Sequence, residues 1–301
     1  MEKHVVSISL GSSSRNHVAV SEFAGQKVRL ERIGTDGDKA AAKALLRRLD
    51  GQVDAFGLGG TDLFIYAGNR RYTFRESAEI AAVAKETPIV DGSGLKNTLE
   101  RRVIRQLAKD GIVQFKGKRA LMVCAVDRFG MAEALEEVGC INSYGDLMFG
   151  LGLPLPLHSL KALDRLARIL APVVTRLPVS LFYPTGETQQ ERRPKFAAAF
   201  NAADIIAGDL HFIRRYMPDR LPGKIVITNT VTDKDKELLR QSGASLLITT
   251  TPELDGRSFG TNVMEAVLVA MAGKKAAELT AQDYEALLDR LAVKPRIECW
   301  T

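Results

Sequence analysis

From Arg119 onward, apolar runs of strand length alternate with segments of helical period, and no other feature of the chain restricts its fold as much. RALMVCAV (119–126) reads as a buried strand, FGMAEALEEVG (129–139) as a short helix closed by Gly139, and CINSYGD (140–146) as a strand ending at Asp146. SLKALDRLARIL (159–170) sets Leu160, Leu163, Leu166 and Leu170 on one helical face behind Ser159 as N-cap. VSLFYP (179–184) is a further strand, followed by a helix near 194–202, then DIIAGD, KIVITNT, the charged helix DKDKELLRQSG and SLLITTT. Strands separated by helices pair in parallel, and runs apolar throughout are those of strands covered on both faces. The expectation is an α/β, doubly wound Rossmann-like parallel sheet over 111–255.

The first 110 residues follow a different rhythm. HVVSISL, HVAVSEF and KVRLERIG are three strand candidates in succession, followed by the helix DKAAAKALLRRLDG and the strand VDAFGLGG. LFIYAGNRRYTF reads as a hairpin turning at Gly68-Asn69, with a helix near 76–85 behind it. This is an N-terminal α/β substrate domain, 1–110. Leu95, Leu99, Val103 and Leu107 recur every four residues, so LKNTLERRVIRQLAKDG is an amphipathic helix leading into the second domain, with the boundary near 108–117. Residues 256–301 are expected as C-terminal helices returning towards the first domain, the last opened by Thr280 and Asp283 at capping-box spacing.

Composition narrows the function classes. The net charge of +6 comes from scattered pairs such as Arg47-Arg48 and Arg214-Arg215, without interleaved aromatics, which favours small anionic ligands over nucleic acid. No apolar run reaches the roughly 18 residues of a membrane span, and the charged start MEKHVV does not read as a signal peptide. Cys124, Cys140 and Cys299 form no CxxC pair, so a cytoplasmic chain without membrane partner or metal is expected, a homodimer being left open.

Three stretches carry candidate chemistry. CAVDRFG stands at a strand–turn–helix junction, where Val126, Asp127, Arg128 and Gly130 are placed to meet a nucleotide, although only the last glycine of G-x-G-x-x-G is present; a structural turn is the alternative. Asp146, ending the next strand, suits a ribose diol and disfavours a 2′-phosphate, unless it is a solvated loop aspartate. Asn229 and Thr230, closing KIVITNT, join this cofactor-binding set. IVDGSGLKNT is not a P-loop, because Leu95 interrupts Gly-Lys-Ser/Thr. SLGSSSRNH can be considered as a metal-dependent phosphate hairpin, but it lacks the strand aspartate that would hold the metal, which disfavours that reading. Asp91 on its glycine-flanked turn and Lys96 one helical turn on form instead a candidate acid–base pair, against bland readings as a turn residue and a solvated lysine.

Val90-Asp91-Gly92-Ser93-Gly94, a long helix and then Gly117-Lys118-Arg119 resemble shikimate and quinate dehydrogenases, whose Asn-Thr-Asp-Gly-x-Gly segment opens a helix running into a Rossmann strand. Gly260-Thr261-Asn262-Val263-Met264-Glu265-Ala266 is similar to the family's return helix, and Ser12 and Ser14 to its Ser-x-Ser. The resemblance implies a dehydrogenase acting on a small hydroxylated, carboxylated alcohol with NAD or NADP, NAD being preferred. It also implies Ser12, Ser14 and Asn262 as substrate-binding residues. The family's lysine segment Asn-Val-Thr-x-Pro-x-Lys has no match near VDAFGLGGTDLF, its Gly-Ala-Gly-Gly turn is replaced by Cys124-Ala125-Val126-Asp127, and its Asn-Arg-Thr clamp reads Asn142-Ser143-Tyr144. The alternative is a Rossmann-like protein binding another nucleoside ligand, such as S-adenosylmethionine, for group transfer or sensing.

Overall fold

A computed structural model describes residues 2–67, 70–178, 191–254, 257–258, 260–274 and 276–300; VSLFYP and the Gly68-Asn69 turn lie outside them. The first sheet is built from β1 (Lys3–Ser9), β2 (His17–Phe23), β3 (Gln26–Gly34), β4 (Ala55–Gly59) and β7 (Ile89–Val90), in the order β2-β3-β1-β4-β7. β1, β3, β4 and β7 run parallel, and β2 lies antiparallel on β3. Helices α1 (Lys39–Leu49) and α2 (Arg75–Ala81) cover one face, and β5 (Phe64–Ala67) with β6 (Arg70–Thr73) forms a separate hairpin. α1 begins where Asp38 accepts the amides of Ala40 and Ala41, satisfying two donors that the first turn leaves open.

α3 (Ser93–Lys109) crosses from the first sheet to the second. Leu95, Leu99, Val103 and Leu107 form its apolar stripe, and Lys96 and Glu100, one turn apart, are also buried. Next come β8 (Arg119–Met122), α4 (Phe129–Glu137), β9 (Ile141–Tyr144), α5 (Leu160–Val174), α6 (Ala197–Ala202), β10 (Ile205–Ala207), α7 (Leu210–Tyr216), β11 (Ile225–Thr228), α8 (Asp233–Ser242) and β12 (Leu246–Thr249). Among the described residues the second sheet reads β9-β8-β10-β11-β12, all parallel, a Rossmann-like arrangement whose order reverses between β8 and β10. Each strand alternates between two cores. Ala120, Met122, Ile205 and Ile248 face α3 and α4, while Leu121, Val123, Ile206 and Leu247 face α6, α7 and α8.

After β13 (Glu253–Leu254) and β14 (Arg257–Ser258), α9 (Thr261–Ala272) packs back on β4 and β1 of the first sheet, and α10 (Ala281–Arg290) packs on α3 and α9. The layer α3, α9, α10 is therefore shared by both sheets. The C-terminal segment is not helical to its end. β15 (Arg296–Cys299) pairs antiparallel with β12, because β12 otherwise offers an unpaired edge. Two further expectations shift in detail. RALMVCAV is strand only to Met122, and after β9 the chain passes at Asp146 into a short π-helical turn (Asp146–Gly150). No described helix is long and apolar enough to cross a membrane.

Candidate active site

Parallel strands present their carboxyl ends on one side, and here both sheets turn that side to the same place. A cleft of about 180 Å³ is lined by Ser7, Ser9 and Asp62 from the first sheet's strand ends, and by Asp127, Asp209 and Asn229 from the second's. On the second sheet this lies at the reversal of strand order, where open α/β sheets bind ligands. Thr261 and Asn262, at the start of α9, form another wall.

Lys96 lies on the cleft floor and is 7% exposed, so it is not a solvated helix lysine. Its Nζ donates to Asp62 Oδ1 at 3.2 Å and lies 3.6 Å from Asp127. Burial by itself would lower the pKa of the ammonium, but the carboxylates of Asp62 and Asp127 outweigh it and hold the proton above the ordinary lysine range. Asp62 is not among the residues that the sequence motifs single out. Its signal is an aspartate directly after a strand and a glycine pair.

Asp91 lines the same cleft, but its carboxylate is committed to the backbone. Oδ2 accepts the amides of Leu63 (2.6 Å) and Phe64 (3.1 Å), and Oδ1 accepts Ser93 N and Ser93 Oγ. Asp91 thus holds the loop that carries Asp62, and it is the Asp62 carboxylate that takes the Lys96 ammonium. Burial and the neighbouring Asp62 raise its pKa. Behind the turn, Gly92 N donates to Glu265 Oε2 and Tyr284 OH donates to Glu265 Oε1, both at 2.6 Å.

Arg128 does not face an open phosphate site. It is buried, pairs with Glu100 on α3 and with Asp209 at 3.1 Å, and these carboxylates hold its charge against burial. Gly130 serves packing: a Cβ there would come within 2.7 Å of Asn97 O, so glycine lets α4 approach α3. Asn229 donates to Asp209 Oδ2 at 2.9 Å, and Thr230 lines the cleft beside it. Asp209 is pulled down to about 2, because His211 and Arg128 outweigh its burial. Asn262 donates from Nδ2 to Ser7 Oγ at 2.8 Å, tying α9 to β1. Ser12 and Ser14 are hydrogen-bonded to each other at 2.8 Å, and Ser12 caps the 3-10 turn Ser13–Arg15. The cleft receives Arg15 and Arg32 from this region instead. Arg15 Nη1 lies 3.2 Å from His211 Nε2, so a loop of the first sheet meets α7 of the second; since arginine only donates, Nε2 is the acceptor. Burial lowers the pKa of His211 and keeps it in this acceptor form.

A second cavity of about 440 Å³ adjoins the cleft, and Asp127, His211 and Phe212 border both. Asp146 lines it. Its Oδ1 accepts the amides of Ala125 (3.0 Å) and Val126 (2.9 Å), while Oδ2 is buried without a hydrogen-bond partner. Burial pushes Asp146 up to about 6. The Asp146 side chain thus pins the turn after β8 and borders the cavity just past the end of β9. The turn amides do not suit a pyrophosphate, because Asp146 already occupies two of them. Among the described residues no three His, Cys, Asp or Glu side chains are grouped as metal ligands.

Two family models match the chain, each described as a domain of unknown function: DUF8753 over residues 4–91 and DUF8754 over 94–300. No curated protein matches. Among solved structures the chain is similar to an NAD-dependent malic enzyme from Thermotoga maritima, at 13% identity and TM-score 0.35 over 96% of this chain and 83% of that one. A hetero-hexameric glutamate dehydrogenase from Thermus thermophilus gives 11% identity and TM-score 0.45 over 97% and 73%. A methylenetetrahydrofolate dehydrogenase-cyclohydrolase from Trypanosoma brucei gives 12% and 0.33 over 96% and 87%. The likeness is distant, and no residue assignment follows from it.

Proposed function

We propose that the chain, which belongs to the DUF8754 family through a match that takes in α3, the second sheet and the return helices, is a nicotinamide-dependent oxidoreductase. The substrate is a small, hydroxylated, carboxylated alcohol of the quinate or shikimate kind. One observation carries the reading: a buried ammonium, Lys96, is held by Asp62 and Asp127 between the carboxyl ends of two parallel sheets. Interconverting an alcohol and a carbonyl requires a proton donor and acceptor at the oxygen, and this is the group the cleft supplies.

Because Asp62 and Asp127 keep Lys96 protonated, the resting site is set to donate a hydrogen bond to a carbonyl oxygen and stabilise charge developing there. Passing the proton from Nζ to that oxygen leaves an amine beside Asp62 and Asp127, and burial, which disfavours the ammonium, lessens the hold of the two carboxylates on that proton. A nicotinamide dinucleotide would supply the two-electron chemistry, in its reduced form as hydride donor to the carbonyl carbon in this direction and in its oxidised form as hydride acceptor in the reverse oxidation of the alcohol. Asp146 would hold the ribose hydroxyls, and its charge favours NAD over NADP. Asn229 and Thr230 line the cleft itself. Arg15 and Arg32 offer cations for a substrate carboxylate.

S-adenosylmethionine is a second reading, favoured by the same Asp146. A nucleoside ligand without phosphate leaves the occupied turn amides undisturbed.

The test is to incubate purified protein with quinate, shikimate and related hydroxy acids plus NAD or NADP, following reduced nicotinamide, with S-adenosylmethionine binding measured in parallel. Turnover is expected with NAD, reduced roughly 10²- to 10⁴-fold in Lys96→Met. No turnover and no dinucleotide binding, or full activity in Lys96→Met, would overturn the proposal.

A further inference from the structure

The nucleotide reading leaves a charge unaccounted for. A strand–turn–helix junction ordinarily meets phosphate with free amides, but here Ala125 N and Val126 N are both taken by Asp146 Oδ1. A phosphate entering this edge needs a cation elsewhere. The same cavity has one. Arg215, near the end of α7, lines it together with Asp146.

The basic residues around Arg215 are paired. Arg214 donates to Asp235 at 2.8 Å, Arg193 pairs with Glu191 at 2.8 Å, and Arg192 with Asp219 at 3.0 Å. Arg215 has no carboxylate partner among the described residues. Its guanidinium lies 5.7 Å from the centroid of the Tyr216 ring, and its Nε is buried without a hydrogen-bond partner. Leaving a guanidinium half-buried and unpaired is costly, and its planar fork matches phosphate. The remainder of the cavity suits the rest of a nucleotide. Phe149, Phe212 and Tyr216 form an aromatic wall, with Phe149 and Tyr216 centroids 5.2 Å apart and Phe212 and Tyr216 rings stacked at 6.3 Å. Leu166 and Leu170 of α5 add aliphatic surface. At about 440 Å³ the space is within the range of small-molecule sites, roughly 300–1,000 Å³.

We propose that Arg215 is the phosphate anchor of a 5′-nucleotide in this cavity, replacing the turn amides that Asp146 occupies, with the Asp146 carboxylate at the same cavity taking the ribose hydroxyls. This rests on the nucleoside reading of Asp146 given above and adds where the phosphate goes. It also distinguishes 5′- from 2′-phosphates, because a 2′-phosphate would meet the Asp146 carboxylate.

The experiment is calorimetric titration of the full chain with adenosine, 5′-AMP and 2′-AMP, in wild type, Arg215→Gln and Arg215→Lys. In wild type 5′-AMP should bind roughly 10- to 100-fold more tightly than adenosine, the range of a charge-assisted contact, and more tightly than 2′-AMP. Arg215→Gln should abolish that advantage while keeping adenosine affinity, and Arg215→Lys should retain part of it. Equal wild-type affinities for adenosine and 5′-AMP, or an undiminished advantage in Arg215→Gln, would overturn the anchor while leaving the nucleoside reading intact. Failure of all three ligands to bind wild type would overturn both. Should Arg215→Gln not fold, the wild-type comparison and Arg215→Lys decide.

Discussion

At the scale of residues, Asp91 separates what a motif announces from what its atoms do. Its carboxylate receives four donors, two on each oxygen, and all four are polar hydrogens of Leu63, Phe64 and Ser93. A carboxamide cannot replace it. Whichever way an asparagine is turned, its NH2 faces donors on one side, and buried amides left unpaired cost about 1–3 kcal/mol each. Asp91→Asn is therefore expected to lower stability by about 2 kcal/mol or more, and to lower turnover because the loop bearing Asp62 is released. Chemical denaturation and kinetics on one variant check this. Unchanged stability with lost turnover would return Asp91 to a direct part in proton transfer. DGSG was legible as a turn at the handover between the two sheets; which carboxylate touches Lys96 was not, because that depends on a loop brought in from 34 residues away.

At the scale of elements, the glycines of DGSG are explained by the return helix. A Cβ on Gly92 would lie 2.6 Å from Asn262 N, and Gly92 has φ +94°, a conformation other residues rarely adopt. A Cβ on Gly94 would run into Glu265 Oε1 and meet Tyr284 OH at 3.1 Å. α9 thus seats directly on the turn, and the turn is small so that the helix can come close. Gly92→Ala should destabilise most, by about 3 kcal/mol, since a backbone atom must move and the backbone is strained. Gly94→Ala should cost less, because a side chain can give way. Gly111→Ala should cost only about 1 kcal/mol, having positive φ but open space around it. A thermal-melt series that failed to rank in that order would contradict the seating. The strand–helix alternation after Arg119 was legible because each strand is covered on both faces and so is apolar without a break. α7 and β15 were not. α7 has only Leu210 and Ile213 buried over seven residues, and β15 has no buried residue, so neither leaves a period to read.

At the scale of the whole molecule, the shared helical layer and the cleft bury more carboxylates than cations. Glu100 and Glu265 are both pushed up to about 7 by burial, Asp146 to about 6, and Asp91 and Asp127 are also raised. An acid whose folded pKa lies above its unfolded value keeps protons that the unfolded chain releases. Its contribution is present at low pH and is lost as pH rises from about 4.5 to about 7. Asp209, drawn down to about 2, and His211, held below the ordinary imidazole range by burial, work in the opposite sense, the first only at strongly acid pH and the second as one group against the five carboxylates below about pH 6.5. The chain should therefore be more resistant to denaturant near pH 5 than near pH 8. Glu265 isolates the effect: it is 3% exposed, and its partners are Gly92 N and the hydroxyl of Tyr284, which can turn to accept as well as donate. Glu265→Gln reproduces the protonated acid without its titration. It should leave stability near pH 4.5 almost unchanged and raise it at pH 8, by about 3 kcal/mol at most, flattening the profile between. Urea midpoints of both proteins at the two pH values measure this. Equal stabilities at pH 8 would mean that Glu265 carries its charge in the fold at no cost, and that the layer between the sheets is better solvated than its packing indicates.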